Sequence, residues 1–343
     1  MNANTIRQNP PLKNLKNLKI MEVCGTHTSS IVRSGLREFL PAGIRMVSGP
    51  GCPVCVTSAD YIDGVIYAAK EQNAVVASFG DLFRVRGSLG SFASKRAEGQ
   101  EFIPVYSPFD AVNLARANPQ KSYIFAAVGF ETTIPLYALI LETIINKNIK
   151  NLKLALSLKT MPEVLDWLCQ TQQIDGFICP GHVSVIIGKS AYISLFEKYH
   201  KPFVISGFTP EEILTAVKEI YAQHQTGLYS VKNLYPSVVK DEGNIKAKNL
   251  IETYFTKTDG LWRGIGMIQD SALVARPEYA DYVVNIKEKE DNLPDGCQCD
   301  EILTGRAMPD ECPLFGKFCR PEEPVGACMV SAEGSCRIYY ENR

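Results

Sequence analysis

Residues 123–146 read YIFAAVGFETTIPLYALILETIIN: a six-residue apolar run, a polar turn opened by Gly129, and a helix-like stretch with Pro135 at its second position. An unbroken apolar run of this length, closed by Gly, fits a strand buried on both faces, and Pro near the start of the following stretch fits a helix entry. The same unit recurs along residues 19–230. Further apolar runs are Leu18–Val23, Ile44–Val47, Ala74–Phe79, Leu152–Leu158, Phe177–Cys179 and Pro202–Ile205; helix-like segments include Ser58–Glu71, Pro162–Gln170 and Pro210–His224. The last is introduced by Thr209-Pro210-Glu211-Glu212, an N-cap, a first-turn proline and two first-turn acids. Alternating strand and helix signals predict an α/β fold with parallel sheets covered by helices. A polar break at Asn118-Pro119-Gln120-Lys121 predicts two parallel-sheet α/β domains, residues 1–119 and 120–230, facing across a cleft. Beyond them, residues 231–343 are predicted to form a third, loop-rich domain, with one helix-like run at Asn244–Tyr254 and Gly-rich turns near Trp262–Gly266.

The turns that leave the strands carry the unusual residues: Cys24-Gly25-Thr26-His27-Thr28, Gly49–Cys55, Gly129–Thr133, Pro180-Gly181-His182-Val183-Ser184 and Gly207–Pro210. Ligands of open α/β sheets bind outside the carboxyl ends of the strands, so polar residues gathered there point to a site. Ser48-Gly49-Pro50-Gly51-Cys52-Pro53-Val54-Cys55 holds two thiols in a stiff turn, a spacing suited to a reversible disulfide or to a metal. Cys24, with His27 three residues on, is expected to join them in one pocket. Glu131 and His182 are candidate proton carriers, although a Glu in that position also suits a helix N-terminus.

Lys+Arg 36 against Asp+Glu 37 leaves a net charge of −1, which offers no basis for nucleic-acid or membrane-surface binding. No run approaches the roughly 18 apolar residues of a membrane span. Met1–Lys19 is polar and lacks the apolar core of a secretory signal, so a cytoplasmic location is expected. Cytoplasmic thiols are kept reduced, which makes eleven cysteines read as metal ligands and redox groups. Six of them, Cys297, Cys299, Cys312, Cys319, Cys328 and Cys336, fall in the Pro- and Gly-rich tail from Asp291. Cys297, Cys312, Cys319 and Cys336 leave 14, 6 and 16 residues between successive sulfurs, without the paired knuckles of a zinc site; a [4Fe–4S] cluster suits such spacing better. Cys169 and Cys179 sit in apolar runs and are expected in the core. Ile187-Gly188-Lys189-Ser190 lacks the leading glycine of a phosphate loop.

Taken together, Cys24–His27, Gly49–Cys55, Gly129–Thr133, Pro180–Ser184 and the tail from Cys312-Pro313-Leu314-Phe315-Gly316-Lys317 to Met329–Cys336 closely resemble the HypD family of [NiFe]-hydrogenase maturation factors. The resemblance runs from about Leu18 to Tyr340. It implies two α/β domains and a third carrying a [4Fe–4S] cluster on Cys297, Cys312, Cys319 and Cys336, with Cys299 competing for the first place. It implies that Cys24 binds the iron that becomes Fe(CN)2CO, sharing it with a HypC-type small chaperone, and that Cys52 and Cys55 form a redox pair. A HypE-type partner would supply cyanide, and the hydrogenase large subunit would receive the product. This makes the chain a maturation scaffold more than a turnover enzyme. Two other readings stay open: an Fe–S-dependent thiol–disulfide oxidoreductase, and an interaction module with structural metals.

Overall fold

The computed structural model describes residues 17–289 and 293–342; the polar segment up to residue 16 and Asp291 lie outside them. In chain order the strands are β1 (Leu18–Glu22), β2 (Ile44–Ser48), β3 (Ala74–Phe79), β4 (Phe102–Val105), β5 (Ser122–Gly129), β6 (Leu152–Lys159), β7 (Gly176–Cys179), β8 (Phe203–Ile205), β9 (Val231–Asn233), β10 (Phe255–Trp262), β11 (Gly266–Ala275) and β12 (Val283–Val284). They form two sheets. One is wholly parallel in the order β2-β1-β7-β8-β9. The other runs β10-β11-β6-β5-β3-β4, with β12 also paired to β6. Its β6-β5-β3-β4 part is parallel, and the β10–β11 hairpin joins β6 antiparallel.

The α/β class and the expected strands are therefore present, but the division at Pro119 does not separate the sheets. The first two strands pair with β7–β9, and β3 and β4 pair with β5 and β6. Asn118–Lys121 is only the turn between the helix Pro108–Ala117 and β5, closed by the Lys121 N–H on the Asn118 carbonyl. Residue 231 is not a boundary either, because β9 completes the first sheet while β10–β12 extend the second. Local composition marks turns, whereas partner choice is set by which apolar faces meet.

β5 explains its own unbroken apolar run. Tyr123, Phe125 and Ala127 pack in a core cluster on one face, with Leu154 and Tyr137; Ile124, Ala126 and Val128 pack in a second cluster on the other, with Val76 and Ile62. The period of two along a strand sorts the residues to the two faces. The helix Pro210–Thr226 begins as its sequence indicates, with Glu212 N–H donating to Thr209 Oγ1 and Thr209 N–H donating to Glu212 Oε2.

The tail has no core of its own. Ile302 of the short helix Cys299–Leu303, Met329 of Ala327–Val330 and Phe315 of the loop between them join the same apolar cluster as Met21, Val47 and Phe177 of the first sheet. Burying those side chains against a formed sheet stabilises a segment too sparse to fold alone.

Interleaving has a testable consequence. A fragment of residues 1–119 contains β1 and β2 without β7, and β3 and β4 without β5, so each pair loses its central neighbour. It is expected to give no cooperative urea transition by circular dichroism. A sharp two-state transition would refute the dependence of these strands on the second half of the chain.

Candidate metal and thiol site

Strand β1 delivers Cys24 to the end of the first sheet. Cys24 is extended (φ −152°, ψ 125°) and immediately precedes the helix Gly25–Arg33, so its sulfur lies over the first turn. The N–H groups of Thr26 and His27 and the Thr26 hydroxyl point at that sulfur and favour its thiolate. Burial opposes them and wins, pushing the thiol up to about 11. Beneath it lies Glu22, wholly buried, whose Oε2 accepts the Cys24 N–H at 3.0 Å and whose Oε1 accepts the Thr28 hydroxyl at 2.5 Å. Burial also raises the Glu22 carboxyl, while these donors pull it down.

The Gly-Pro turn lies directly on this structure. Gly49 N–H donates to the Glu22 carbonyl at 2.7 Å. A Cβ on Gly51 would stand 2.4 Å from the Cys24 nitrogen and 2.5 Å from the Val23 carbonyl carbon, so no other residue fits without displacing backbone. The Cys24 and Cys52–Cys55 segments thus meet at Gly51.

Beyond Gly51 the sulfurs continue inward. Cys55 N–H donates to Cys52 Sγ at 3.3 Å. The Cys55 thiol is within hydrogen-bonding reach of both Cys52 and Cys328, and burial with these neighbours raises it. Cys328 is also within reach of Cys299 and Cys336; three S–H groups turned toward one sulfur push the Cys328 thiol down. Cys299 meets Cys297 in turn. Cys297, Cys299, Cys312, Cys319 and Cys336 line one small cavity, walled also by Phe315 and Met329. Gly326 has no room for a side chain, since its Cβ would lie 2.7 Å from the sulfurs of Cys297 and Cys299. Val325 N–H donates to Cys319 Sγ at 3.4 Å.

Four of these five, Cys297, Cys312, Cys319 and Cys336, are the thiols singled out by spacing. Among the described residues, no three His, Cys, Asp or Glu side chains close tightly enough to grip a single ion. The thiols line one small cavity, and N–H groups at Cys319 suit a charged sulfur.

The candidate proton carriers sit differently. His27 is buried and its Nε2 donates to the Gly207 carbonyl at 2.9 Å. Burial holds its imidazole at about 4, so it is neutral at physiological pH. Its ring packs on Phe208 with centroids 4.8 Å apart, and His182 packs on that same Phe208 at 4.2 Å. Burial lowers the His182 imidazole as well. Glu131 is not with the sulfurs: its Oε1 accepts the Met161 N–H at 2.8 Å, capping the helix Met161–Thr171, and burial pushes its carboxyl up to about 8. Cys169 and Cys179 are buried core, as their apolar settings predict.

Sequence reasoning gave no role to Cys328 or Glu22. Cys328, together with Cys299, connects the Cys52–Cys55 turn to the tail cavity; the signal is arithmetic, since four ligands drawn from six tail cysteines leave two over. Glu22 showed itself only as an acid closing the apolar run of β1.

Comparison with known proteins gives a consistent answer. A family model named HypD, described as "Hydrogenase formation hypA family", matches residues 3–343. A putative hydrogenase expression/formation protein of Methanocaldococcus jannaschii is 41% identical over 331 residues, covering 95% of this chain and 92% of the relative. Hydrogenase maturation factor HypD of Escherichia coli is 37% identical over 333 residues, covering 95% and 89%. The HypD of Rhodobacter capsulatus is 37% identical over 337 residues, with the same coverage of 95% and 89%.

At pH 8, Cys24 of iron-free protein is expected to react with iodoacetamide at least about 100-fold more slowly than in the urea-unfolded chain, because its thiol stands near 11 instead of 9. Peptide mass spectrometry gives the rate, and a difference below threefold would remove burial as the controlling factor. Gly51→Ala is expected to destabilise the chain by about 1–3 kcal/mol in urea, the usual cost of forcing atoms into a filled space.

Proposed function

This chain belongs to the HypD family of hydrogenase formation proteins, and we propose that its part in hydrogenase maturation is that of the scaffold on which iron receives two cyanides and a carbon monoxide. Iron here is cargo. Cys24 is the proposed ligand, shared with a cysteine of a HypC-type chaperone; a HypE-type donor brings the cyanide, and the hydrogenase large subunit takes the finished Fe(CN)2CO group. A thiolate suits iron made electron-rich by such ligands better than carboxylate does. In the absence of metal, burial keeps Cys24 protonated. An arriving cation supplies the missing counter-charge, and binding then releases the proton while the Thr26 and His27 donors hold the thiolate.

A [4Fe–4S] cluster is proposed on Cys297, Cys312, Cys319 and Cys336; the support is four thiols on apolar walls, with N–H donors at Cys319. Such a cluster supplies and stores single electrons when bound. Cys299 is then left to its neighbour Cys328. The observation that carries this reading is the unbroken series of sulfur contacts Cys52–Cys55–Cys328–Cys299. Along it, dithiol and disulfide can exchange. The Cys328 thiolate attacks Cys55 of a Cys52–Cys55 disulfide, a Cys55–Cys328 bond forms, and Cys52 leaves as thiolate. Cys299 next attacks Cys328 and frees Cys55, so the disulfide moves to Cys299–Cys328 and the pair beside Cys24 is reduced.

A general thiol–disulfide oxidoreductase is the less favoured alternative, because Cys52, Cys55 and Cys328 are all buried from bulky disulfide substrates. None of the described helices is long and apolar enough to cross a membrane. The cytoplasm, where thiols are kept reduced, is the proposed place of action.

Cys24→Ala, purified anaerobically with its HypC-type partner, is expected to lose the infrared bands of bound cyanide and carbon monoxide; retained bands would eliminate Cys24 as the ligand. Cys328→Ser tests the exchange separately. After dithionite treatment the parent should yield free Cys52 and Cys55, whereas the variant should retain their disulfide, read by differential alkylation. Equal reduction in both proteins would exclude Cys328 as the link.

A further inference from the structure

A cavity of about 510 Å³ lies beside the helix Met161–Thr171, and Cys24 is not among the residues that line it. It is far larger than cyanide or carbon monoxide requires and falls in the range of metabolite sites. Its polar end is formed by Glu131, Thr160 and Glu163, at the N-terminal end of that helix. Its body is apolar, with Ile187, Ile251, Phe255 and Leu273.

The polar end is incomplete. Glu131 Oε2, Thr160 Oγ1 and Glu163 Oε2 are each buried without a hydrogen-bond partner. Glu131 is 4% and Thr160 7% exposed, so neither can turn to solvent to recover the bond. An unpaired buried polar atom costs about 1–3 kcal/mol. Three in one cavity wall point to a ligand that meets all of them.

Their chemistry restricts that ligand. With its carboxyl raised to about 8, Glu131 carries an O–H at neutral pH, and Thr160 offers a second. Both are donors to an anion, and the helix N-terminus favours one there. Glu163 is ion-paired to Lys257 through Oε1, which leaves Oε2 as an acceptor in need of a donor. At the rim Lys248 and Arg276 stand against Glu252, an excess of one positive charge. A doubly charged phosphate would face Glu163 and Glu252 with no phosphate loop to hold it.

We infer that this cavity binds a small organic carboxylate carrying a hydroxyl or amino donor next to the carboxylate and an apolar body beyond it. The carboxylate accepts from Glu131 and Thr160, the adjacent donor reaches Glu163, and the body packs on Ile251 and Phe255. This site goes beyond the assembly of iron at Cys24 and does not depend on it.

The test is a fluorine-NMR titration of the full chain, prepared anaerobically, with 4-fluoromandelate as probe. Saturable binding is expected, about tenfold tighter than for 4-fluorophenylacetate, which lacks the hydroxyl, and absent for 2-(4-fluorophenyl)ethanol, which lacks the charge. Thr160→Val should weaken the probe about tenfold, and Ile251→Trp, which fills the cavity, should abolish binding. If Thr160→Val fails to fold, Ile251→Trp carries the comparison. The inference is overturned if no probe binds at millimolar concentration, if 4-fluorophenyl phosphate binds more tightly than the mandelate, if the alcohol binds equally well, or if folded variants bind like the parent.

Discussion

The absence of a side chain at Gly51 is the constraint on which the site rests. A strand end and a turn are pressed together so closely that an added carbon would meet the Cys24 nitrogen at 2.4 Å. With Gly49 bonded to the Glu22 carbonyl and the Glu22 carboxyl bonded to the Cys24 N–H, the turn and the strand share one hydrogen-bonded frame. The frame fixes where Cys24 stands relative to Cys52. Preorganisation of this kind removes from binding the entropy of bringing two loops together.

Burial then sets the chemistry. A thiol in this interior is held protonated because its charge has nowhere to be solvated, and Cys24 and Cys55 are both raised for that reason. Cys328 is the exception, and its neighbours explain why: hydrogen bonds with Cys299, Cys336 and Cys55 lower its thiol. A sulfur kept there is shielded from outside oxidants while remaining in contact with Cys299, Cys336 and Cys55.

Much of this was legible in the sequence, and the failures have identifiable physics. Apolar runs such as Tyr123–Val128 announce strands because burial on both faces demands apolar residues at every position, and Thr209-Pro210 marks a helix start through local chemistry. Pairing is different. Nothing near Leu18–Glu22 says that its second neighbour is Gly176–Cys179, more than 150 residues away, so a chain that weaves between two sheets was cut into consecutive domains. The β10–β11 hairpin was hidden because its turn at Gly264 and Gly266 stood out more than its strands. Likewise, His27 and Glu131 read in the sequence as polar residues of the turns that leave the strands. Burial leaves one a neutral imidazole bonded to Gly207 and makes the other a protonated cap on a helix.

The weaving accounts for where the chemistry lies. The chain leaves the first sheet after β2, returns to it at β7 and leaves again after β9. The first departure carries Cys52 and Cys55; the return runs through the helix capped by Glu131; the second departure passes through the helix Ile245–Tyr254, whose Lys248 and Ile251 line the carboxylate cavity. A segment that crosses between sheets is anchored at both ends by different strands, so it cannot relax by following one sheet alone. On the first crossing, Cys55 keeps an unfavourable state, a thiol stripped of water, that a free loop would shed by moving. Strain of this sort persists only where the surrounding structure over-determines it, and the crossings are where this fold supplies that determination.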